Sequence, residues 1–309
     1  MKIAFLFPGQ GSQYVGMGKD LCEKYDEVNE IYEKAKKITG IDVKEVSFEN
    51  KEEKLNQTKY TQLCIVTMSL GILEVLKKNN IQADMTAGLS LGEYVSLNYA
   101  NSIDTKNTLK IIQKRGEYMQ DLAPKGEWSM VAVLGLSDNL VEEACSEVKN
   151  GFAVPANYNC PGQVVVSGDK IGITELTQIA KEKGAKRVVE LKTSGPFHTK
   201  KLEEASKKLK AELEKIEIKV PDCVVIKNLD GKPYNANENI KEVLEKHIIS
   251  PVKFSDSIKY MLENGVDTFI EVGPGKTLTS LVRKIDRNVN CINISDVASL
   301  ESAIELLNS

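Results

Sequence analysis

Residues 85–92 read MTAGLSLG, in which a short apolar run leads through a GxSxG sequence into an amphipathic run. The apolar run predicts a buried strand over Met85–Gly88, and the spacing after it predicts a helix over Leu91–Asn98. Serine at such a junction is typical of a nucleophile elbow, a turn so tight that small residues must flank it. The helix behind the serine points backbone N–H groups at the same spot, which suits a developing oxyanion. Ser90 is therefore a candidate nucleophile, and the alternative is a strand–helix junction that carries a serine by chance.

The alternation of short apolar runs and amphipathic runs continues along the 309 residues and is typical of an α/β protein. Ile3–Phe7 predicts another buried strand. From 123 to 195 the predicted order changes to strand, helix, two strands, helix and strand, which is that of a ferredoxin-like βαββαβ unit. We therefore predict a large α/β domain with a mainly parallel sheet from residues 1–122 and 196–309. A ferredoxin-like domain at residues 123–195 is inserted between its two halves.

The composition is that of an ordinary globular protein and narrows the range of partners. Apolar residues make up 41% and charged residues 28% of the chain, which argues against disorder. Lysine and arginine number 41 against 44 aspartates and glutamates, a net charge of −3. With so even a balance, we expect no bulk binding of nucleic acid.

Cysteine and histidine are too few and too scattered to predict a metal site. The six cysteines include no CxxC pair, and the chain has two histidines. Single thiols fit a reducing compartment. The first apolar run, Ile3–Phe7, is too short for a signal peptide, and we expect no apolar stretch to approach the roughly 18 residues that cross a bilayer. The sequence therefore predicts a cytoplasmic protein without a membrane partner.

A serine nucleophile needs a base, and the two histidines are the candidates. His198 lies in the loop sequence SGPFH (residues 194–198), where glycine and proline shape a turn that can aim its ring. His247 lies on a helix predicted over Ile240–Ile249, where a lone histidine more often packs into the core. His198 is therefore the preferred base. The order of serine before histidine matches the hydrolase order only in part, because hydrolases place an acid between the two and the histidine near the chain end.

A second glycine-rich turn follows the first predicted strand and reads FPGQGSQ (residues 7–13). Loops that follow neighbouring parallel strands lie side by side at one edge of the sheet. The backbone amides of this turn are therefore expected to complete an oxyanion hole with the amide after Ser90. A further sequence, GPGKT at residues 273–277, imitates part of a P-loop but lacks its first glycine, so we reject nucleotide binding there.

Arg115 interrupts an apolar stripe on the helix predicted over Asp104–Leu122. The stripe has helical spacing and consists of Leu109, Ile112, Met119 and Leu122. An inward guanidinium is costly unless it is paired, and its fork matches a carboxylate through two hydrogen bonds. The partner is either an acidic side chain elsewhere in the chain or the carboxylate of a substrate.

Together these motifs resemble the malonyl-CoA:acyl carrier protein transacylases of bacterial fatty-acid synthesis and the related acyltransferase domains of polyketide synthases. The resemblance runs over nearly the whole chain, and several motifs in one order are more specific than GxSxG alone. The motifs are FPGQGSQ (7–13), GLSLGEY (88–94), QKRG (113–116), NYNCPGQVVVSG (157–168), FH (197–198), PV (251–252) and EVGPGK (271–276). The resemblance implies a hydrolase-like α/β core with an inserted ferredoxin-like domain.

The resemblance also implies a ping-pong transfer of a malonyl group from malonyl-CoA to the phosphopantetheine thiol of acyl carrier protein, without a metal or a dissociable cofactor. Ser90 is then the nucleophile and His198 the base, and the backbone amides of Gln10 and Leu91 hold the oxyanion. Arg115 is expected to bind the malonyl carboxylate. The further residues expected to contact substrate are Met119, Asn159 and Phe197. The basic residues expected to bind the carrier protein are Lys186, Arg187, Arg283 and Lys284.

Two positions depart from the family pattern. Leu89 stands where the family usually has a histidine before the nucleophile, and we expect little loss from this change. His247 stands where the family has a glutamine whose backbone carbonyl orients the catalytic histidine, a role that any residue's carbonyl can fill. The His247 ring either tunes His198 or fills the space of the glutamine, and we favour the second. The alternatives from other classes are a serine hydrolase or thioesterase and a non-catalytic module that binds carrier protein.

Overall fold

The computed structural model describes residues 1–192 and 195–308, and two sheets are present in that part of the chain. In chain order the strands are β1 (Ile3–Phe7), β2 (Met85–Gly88), β3 (Trp128–Leu134), β4 (Ala153–Cys160), β5 (Gln163–Asp169), β6 (Arg187–Glu190), β7 (Val224–Ile226), β8 (Thr268–Val272) and β9 (Asn290–Ile294). The helices are α1 (Lys19–Lys24), α2 (Asp26–Thr39), α3 (Thr58–Lys78), α4 (Gly92–Tyr99), α5 (Thr105–Asp121), α6 (Asp138–Glu147), α7 (Lys170–Glu182), α8 (Glu203–Leu213), α9 (Ile240–His247), α10 (Phe254–Glu263), α11 (Thr277–Ile285) and α12 (Val297–Asn308). A π-helical turn lies at Glu45–Glu49 and a 3₁₀ turn at Lys200–Leu202.

The larger sheet is parallel throughout and has the strand order β7-β2-β1-β8-β9. Along β1, Phe5 and Phe7 enter a core shared with α2, α3 and α5, whereas Ala4 and Leu6 enter a core shared with α10 and α11. Both faces are covered, which is why β1 is apolar without alternation. Phe7 is paired with Gly88, so the turns that follow β1 and β2 lie side by side at one edge of the sheet.

The smaller sheet is antiparallel and has the strand order β4-β5-β3-β6. Helices α6 and α7 pack on it, so the predicted βαββαβ unit is confirmed. Its core contains alternate valines of β3 and β5, namely Val131, Val133, Val164 and Val166. Val252, next to α10, attaches this unit to the rest of the molecule, because it donates a backbone hydrogen bond to Ala156 and accepts one from Tyr158. The boundaries at residues 123 and 195 stay a prediction.

Most predicted strands and helices are present, with ends displaced by a few residues. The helix predicted within Gly11–Glu33 is two helices, α1 and α2, because Tyr25 between them adopts an extended backbone conformation. The N-cap of α5 is Asp104, whose carboxylate accepts the backbone N–H of Asn107 at 2.8 Å.

Helix α3 corrects one prediction about apolar stretches. It has 21 residues and is apolar enough to cross a bilayer by length and composition, whereas we expected no such stretch. Within the fold, 83% of its most apolar 18-residue stretch is buried, and the helix packs against α2 and α5. A core helix that is surrounded on all sides is apolar all round, which accounts for its composition.

Candidate active site

The GxSxG turn between β2 and α4 has the geometry of a nucleophile elbow. Ser90 has a φ of +56°, in the left-handed region that residues other than glycine rarely adopt. A Cβ on Gly88 would lie 1.9 Å from the carbonyl carbon of Gly92, and a Cβ on Gly92 would lie 2.2 Å from the carbonyl oxygen of Phe7. Both glycines are therefore required by the turn, as the motif predicts.

His198 is the histidine that faces Ser90. Ser90 Oγ and His198 Nε2 are 2.8 Å apart. On the other side of the ring, Nδ1 lies 3.1 Å from the carbonyl oxygens of both His247 and Ser250. Carbonyl oxygens only accept hydrogen bonds, so Nδ1 carries the proton and Nε2 presents a lone pair to the serine hydroxyl. The two carbonyls stand where a Ser-His-Asp triad has its carboxylate.

Burial keeps His198 in the neutral form that a base requires. Desolvation and, second, the nearby charge of Arg115 lower the pKa of His198 from 6.5 to about 4. The hydrogen bonds to the His247 and Ser250 carbonyls act in the opposite direction but are outweighed. At neutral pH the ring is therefore uncharged and able to accept a proton from Ser90.

Arg115 is buried beside the serine and has no acidic partner in the part of the chain that the structure describes. The side chain is 1% exposed. Nη1 donates to Gln62 Oε1 at 2.7 Å, and Nη2 donates to Ser90 Oγ at 2.9 Å. Within residues 1–192 and 195–308 no carboxylate oxygen lies within 4.0 Å of the guanidinium, so the internal salt bridge that the sequence left open is not found there. Burial lowers the pKa of Arg115 and leaves an incompletely paired cation next to the nucleophile.

The backbone amides of Gln10 and Leu91 belong to the turns after β1 and β2, which meet at this edge of the sheet. The two turns approach closely, since a Cβ on Gly9 would lie 2.7 Å from the carbonyl oxygen of Leu89. The N–H groups of Gln10 and Leu91 donate no hydrogen bond to any residue that the structure describes. The N–H of Ser90 itself is engaged, because it donates to Asn228 Oδ1 at 2.7 Å. The amides of Gln10 and Leu91 stay the predicted oxyanion donors.

Comparison with known proteins agrees with this geometry. The family model described as an acyl transferase domain matches residues 4–302. The malonyl CoA-acyl carrier protein transacylase of Bacillus subtilis (strain 168) is 40% identical over 308 residues, which are 99% of this chain and 97% of the relative. The chain belongs to this transacylase family.

Solved structures of the family have the same fold. The malonyl CoA-acyl carrier protein transacylase of Clostridium perfringens ATCC 13124 superposes with a TM-score of 0.96 at 39% identity, covering 100% of this chain and 98% of that one. A malonyl-transacylase solved in complex with its type II PKS acyl-carrier protein superposes with a TM-score of 0.95 at 34% identity, covering 99% of this chain and 100% of that one. The predicted fold, a parallel α/β core with an inserted ferredoxin-like unit, is confirmed.

His247 is the residue that the sequence places at the family's glutamine position. Its carbonyl contacts His198, and its buried ring lies beside the His198 ring with centroids 5.3 Å apart and planes tilted by 31°. His247 Nδ1 is 3.5 Å from Glu93 Oε2, yet neither ring nitrogen makes a hydrogen bond to a described residue. Burial, and then the proximity of His198 and Arg115, hold the pKa of His247 well below its usual value, so the ring is neutral. That the ring fills the space of the glutamine stays a prediction.

The other residues expected to contact substrate are buried to different extents around the site. Met119 is linked to Arg115 through Gln62, whose Nε2 donates to Met119 Sδ at 3.3 Å. Phe197 directly precedes His198 and is 6% exposed. Asn159, on β4, has a buried Oδ1 that accepts no hydrogen bond from any described residue, and no hydrogen bond connects it to the Ser90–His198 pair.

The two basic pairs expected to bind carrier protein are exposed. Lys284 reaches the end of the small sheet where Arg187 lies, whereas Arg283 donates to the carbonyl oxygen of Cys291 on β9 at 3.2 Å. Leu134 of β3 pairs with Arg187 of β6 on one side and with Gln163 of β5 on the other. The Nζ of Lys284, at the end of α11, donates to Gln163 Oε1 at 2.9 Å. The four exposed basic side chains of this surface are Lys186, Arg187, Arg283 and Lys284. We call these four residues the basic surface.

Three of the contacts at the site were not predicted from the sequence. Ser250 acts through a backbone carbonyl, which any residue would provide, and its only signal is its position just past the end of α9, where carbonyls lack helical partners. Gln62 and Asn228 are neutral polar residues without a motif of their own. The sequence feature that could have led to Asn228 is Glu93, an acid in the apolar stretch after Ser90. Its carboxylate accepts the backbone N–H of Asn228.

The described part of the chain contains no cluster of residues suited to a metal ion. Within residues 1–192 and 195–308, no group of three or more histidine, cysteine, aspartate or glutamate side chains could hold one. All six cysteines are free thiols.

Proposed function

We propose that the chain transfers a malonyl group from malonyl-CoA to the phosphopantetheine thiol of acyl carrier protein, as part of fatty-acid synthesis. The observation that carries this proposal is the buried Arg115 guanidinium, 2.9 Å from Ser90 Oγ and without a carboxylate partner among the described residues. An acyl group bound to Ser90 whose far end is a carboxylate would supply the missing partner. The family membership of the chain supports the same substrate and acceptor.

In the first half-reaction, Ser90 Oγ attacks the thioester carbonyl carbon of malonyl-CoA. The Oγ–C bond forms as the hydroxyl proton moves to His198 Nε2, 2.8 Å away. The amides of Gln10 and Leu91 hold the oxyanion of the tetrahedral intermediate. The C–S bond then breaks, and His198 returns the proton to the sulfur, so that CoA leaves as the thiol and malonyl-Ser90 remains.

The second half-reaction runs the same steps with a new thiol. His198 Nε2 takes the proton from the phosphopantetheine thiol, and the sulfur attacks the ester carbonyl of malonyl-Ser90. The C–Oγ bond breaks, and Ser90 Oγ recovers the proton from His198. Written in this way, the reaction uses no metal ion and no dissociable cofactor, and CoA thioester and phosphopantetheine are substrates. Met119, Asn159 and Phe197 are proposed to line the acyl and pantetheine path, with the basic surface binding the acidic carrier protein.

We assign this reaction to the cytoplasm. The six free thiols of the chain fit a reducing compartment, and malonyl-CoA and carrier protein are its only proposed partners.

The test is an intact mass spectrum after incubation with malonyl-CoA, with and without acyl carrier protein. Wild type should gain one malonyl group and pass it to the carrier protein, whereas Ser90→Ala should gain none. His198→Ala should slow both half-reactions by about 10²–10⁴-fold, because one base serves in each direction. Ser96→Ala is the matched control, since Ser96 is a buried serine of the same helix region whose hydroxyl makes no hydrogen bond to a described residue.

Two outcomes would contradict the proposal. A Ser90→Ala protein that still gains malonyl at a single site would exclude Ser90 as the nucleophile. Release of free malonate at the same rate with and without carrier protein would mean that the chain is a hydrolase or thioesterase. Covalent malonylation of wild type would in turn exclude a non-catalytic docking module.

A further inference from the structure

Glu93 is a buried acid that the two half-reactions do not use. It lies on the first turn of α4, three residues after the nucleophile, and is 0% exposed. Its Oε1 accepts a hydrogen bond from the Tyr234 hydroxyl at 2.5 Å, and its Oε2 accepts one from the backbone N–H of Asn228 at 2.9 Å. Burying a carboxylate is costly even when it is hydrogen-bonded, so a residue of this kind at this position points to a function.

Asn228 connects Glu93 to the nucleophile turn. Its side chain is fully buried just after β7. Oδ1 accepts the backbone N–H of Ser90 at 2.7 Å, and Nδ2 donates to the carbonyl oxygen of Gly88 at 2.6 Å. One carboxamide therefore holds both ends of the turn around Leu89. The positive φ of Ser90 is a strained conformation, and such conformations persist only where the surrounding structure holds them.

The carboxamide of Asn228 is matched to this task in a way that neither a carboxylate nor an apolar side chain can reproduce. One end of the turn offers an N–H donor and the other a C=O acceptor, so the side chain that spans them needs one acceptor and one donor. Because Asn228 engages the N–H of Ser90, it also leaves the amides of Gln10 and Leu91 as the oxyanion donors.

The carboxylate of Glu93 is likewise matched to its two donors. Both Tyr234 O–H and Asn228 N–H point at it, and a carboxylate accepts at both oxygens, whereas a carboxamide would turn a donor toward one of them. Burial raises the pKa of Glu93 to about 7, while its two hydrogen bonds and then the charges of Arg115 and Lys227 act to lower it.

We propose that Glu93 is a positioning residue for the nucleophile, which it serves by holding Asn228, while Asn228 holds Ser90 in the conformation that attacks. The proposal rests on the acyl transfer proposed above. Glu93 does not contact the acyl group or the thiol in this scheme, and it acts through the hydrogen bonds that connect it to the Ser90 turn.

The experiment compares malonyl loading of Ser90 in the full-length wild type, Glu93→Gln, Asn228→Ala and the double variant. Single-turnover reactions over a range of malonyl-CoA concentrations separate the maximal rate from the half-saturating concentration. Glu93→Gln should lower the maximal rate by about 10–100-fold, the usual effect of losing an outer partner of a reacting group. The half-saturating concentration should stay nearly unchanged, because Gln62 still holds Arg115.

The double variant tests whether Glu93 acts through Asn228. If it does, Glu93→Gln with Asn228→Ala should be no slower than the slower single variant, since both changes break one connection. If the two losses multiply instead, Glu93 and Asn228 act independently and the proposal is wrong. His247 also faces Glu93 Oε2, at 3.5 Å, and action through His247 would give this multiplicative result.

Glu271→Gln is the matched control for the loss of a buried acid. Glu271 is also 0% exposed, and it accepts hydrogen bonds from the backbone of Leu278 and Thr279 at the start of α11. Glu271→Gln should lower the melting temperature without a selective loss of the maximal loading rate. A Glu93→Gln protein that loses melting temperature and loading in the same proportion as Glu271→Gln would overturn the proposal.

A second readout does not depend on malonyl chemistry. Phenylmethylsulfonyl fluoride reacts with activated serines, and the rate at which it modifies Ser90 should fall in Glu93→Gln in parallel with loading. If wild type reacts with this reagent but loads no malonyl, the proposed function fails while the Glu93 comparison still stands. If Glu93→Gln does not fold, Tyr234→Phe removes one donor to the same carboxylate and should give a smaller loss in the same direction. If Tyr234→Phe folds and both reactions of Ser90 proceed at wild-type rates, the proposal is wrong.

Discussion

Removing the Arg115 guanidinium should abolish the preference for an acyl group that carries a carboxylate. The guanidinium is buried, and in the described residues its hydrogen bonds go to Gln62 and Ser90 rather than to an acid. Bound malonate would make the missing charged pair. Breaking a buried pair by removing one partner costs about 3–5 kcal/mol, which corresponds to about 10²–10³-fold or more in kcat/KM. We expect Arg115→Ala to lose malonyl loading by about this factor.

Acetyl transfer should respond less to the same change. Acetyl-CoA has no carboxylate, so Arg115→Ala affects it only through the lost hydrogen bond to Ser90 Oγ. The ratio of malonyl to acetyl transfer should therefore fall, even where both rates fall. Arg115→Lys should recover only part of the malonyl rate, because an ammonium group cannot form the two parallel hydrogen bonds of the guanidinium fork.

The assay is kcat/KM for malonyl-CoA and for acetyl-CoA on wild type and both Arg115 variants. Arg287→Ala is the matched control, since Arg287 is an exposed arginine outside the site, and it should leave the ratio unchanged. An unchanged malonyl-to-acetyl ratio in Arg115→Ala would refute the reasoning. Arg115 would then be a structural residue, and the carboxylate would be recognised elsewhere.

Two other perturbations have expected outcomes. The pKa of His198 is about 4 in the folded chain against 6.5 for the free group, so the unfolded chain binds more protons between these values. The contribution of His198 to the free energy of unfolding should therefore fall as pH drops from 6.5 to 4, and loading should be lost as pH falls through about 4. Glu93 has a pKa raised to about 7, so its contribution to the free energy of unfolding changes with pH in the opposite direction. The His198 contribution is therefore measured as the difference between the free energies of unfolding of wild type and His198→Ala, from urea melts at each pH. Charge reversal across the basic surface should raise KM for carrier protein. The rise should be largest at low salt, because dissolved ions screen exposed charges, over about 8 Å at physiological ionic strength. Transfer to free pantetheine should hardly change, and equal losses with both acceptors would indicate a damaged fold.

The parts of the site that the sequence predicted are side chains whose chemistry is unusual for their surroundings. Ser90 lies between glycines at a strand–helix junction, His198 is one of two histidines, and Arg115 interrupts an apolar stripe. Each such conflict with the local pattern indicates a role that packing alone does not explain. The structure brings His198 and Arg115 within hydrogen-bond distance of one oxygen, Ser90 Oγ.

The parts that the sequence did not predict depend on contacts between residues far apart in the chain. Asn228 reaches Ser90 across 138 positions, and Gln62 reaches Arg115 across 53. Neither residue conflicts with its neighbours in the sequence, because a neutral amide is tolerated in many environments. Ser250 contributes only a backbone carbonyl, which leaves no trace in the residue type. The fold was easier to predict, because periodicity along β1, β2 and the βαββαβ unit is a local property.

The tautomer and the basicity of His198 bear on the choice between a thiol and water as the acceptor. The two carbonyls behind the ring fix its tautomer as a carboxylate would, while burial and then the nearby charge of Arg115 hold the pKa of the ring at about 4 against the raising effect of these hydrogen bonds. A thiol, with a pKa of about 8.5, gives up its proton to this base more readily than water, with a pKa of about 15.7, as it would to a base of any strength. The site is thus suited to pass its acyl group to a thiol and to resist hydrolysis of the ester on Ser90. A malonyl-Ser90 ester that reacted with water as fast as with a pantetheine thiol would contradict the expected preference for a thiol acceptor.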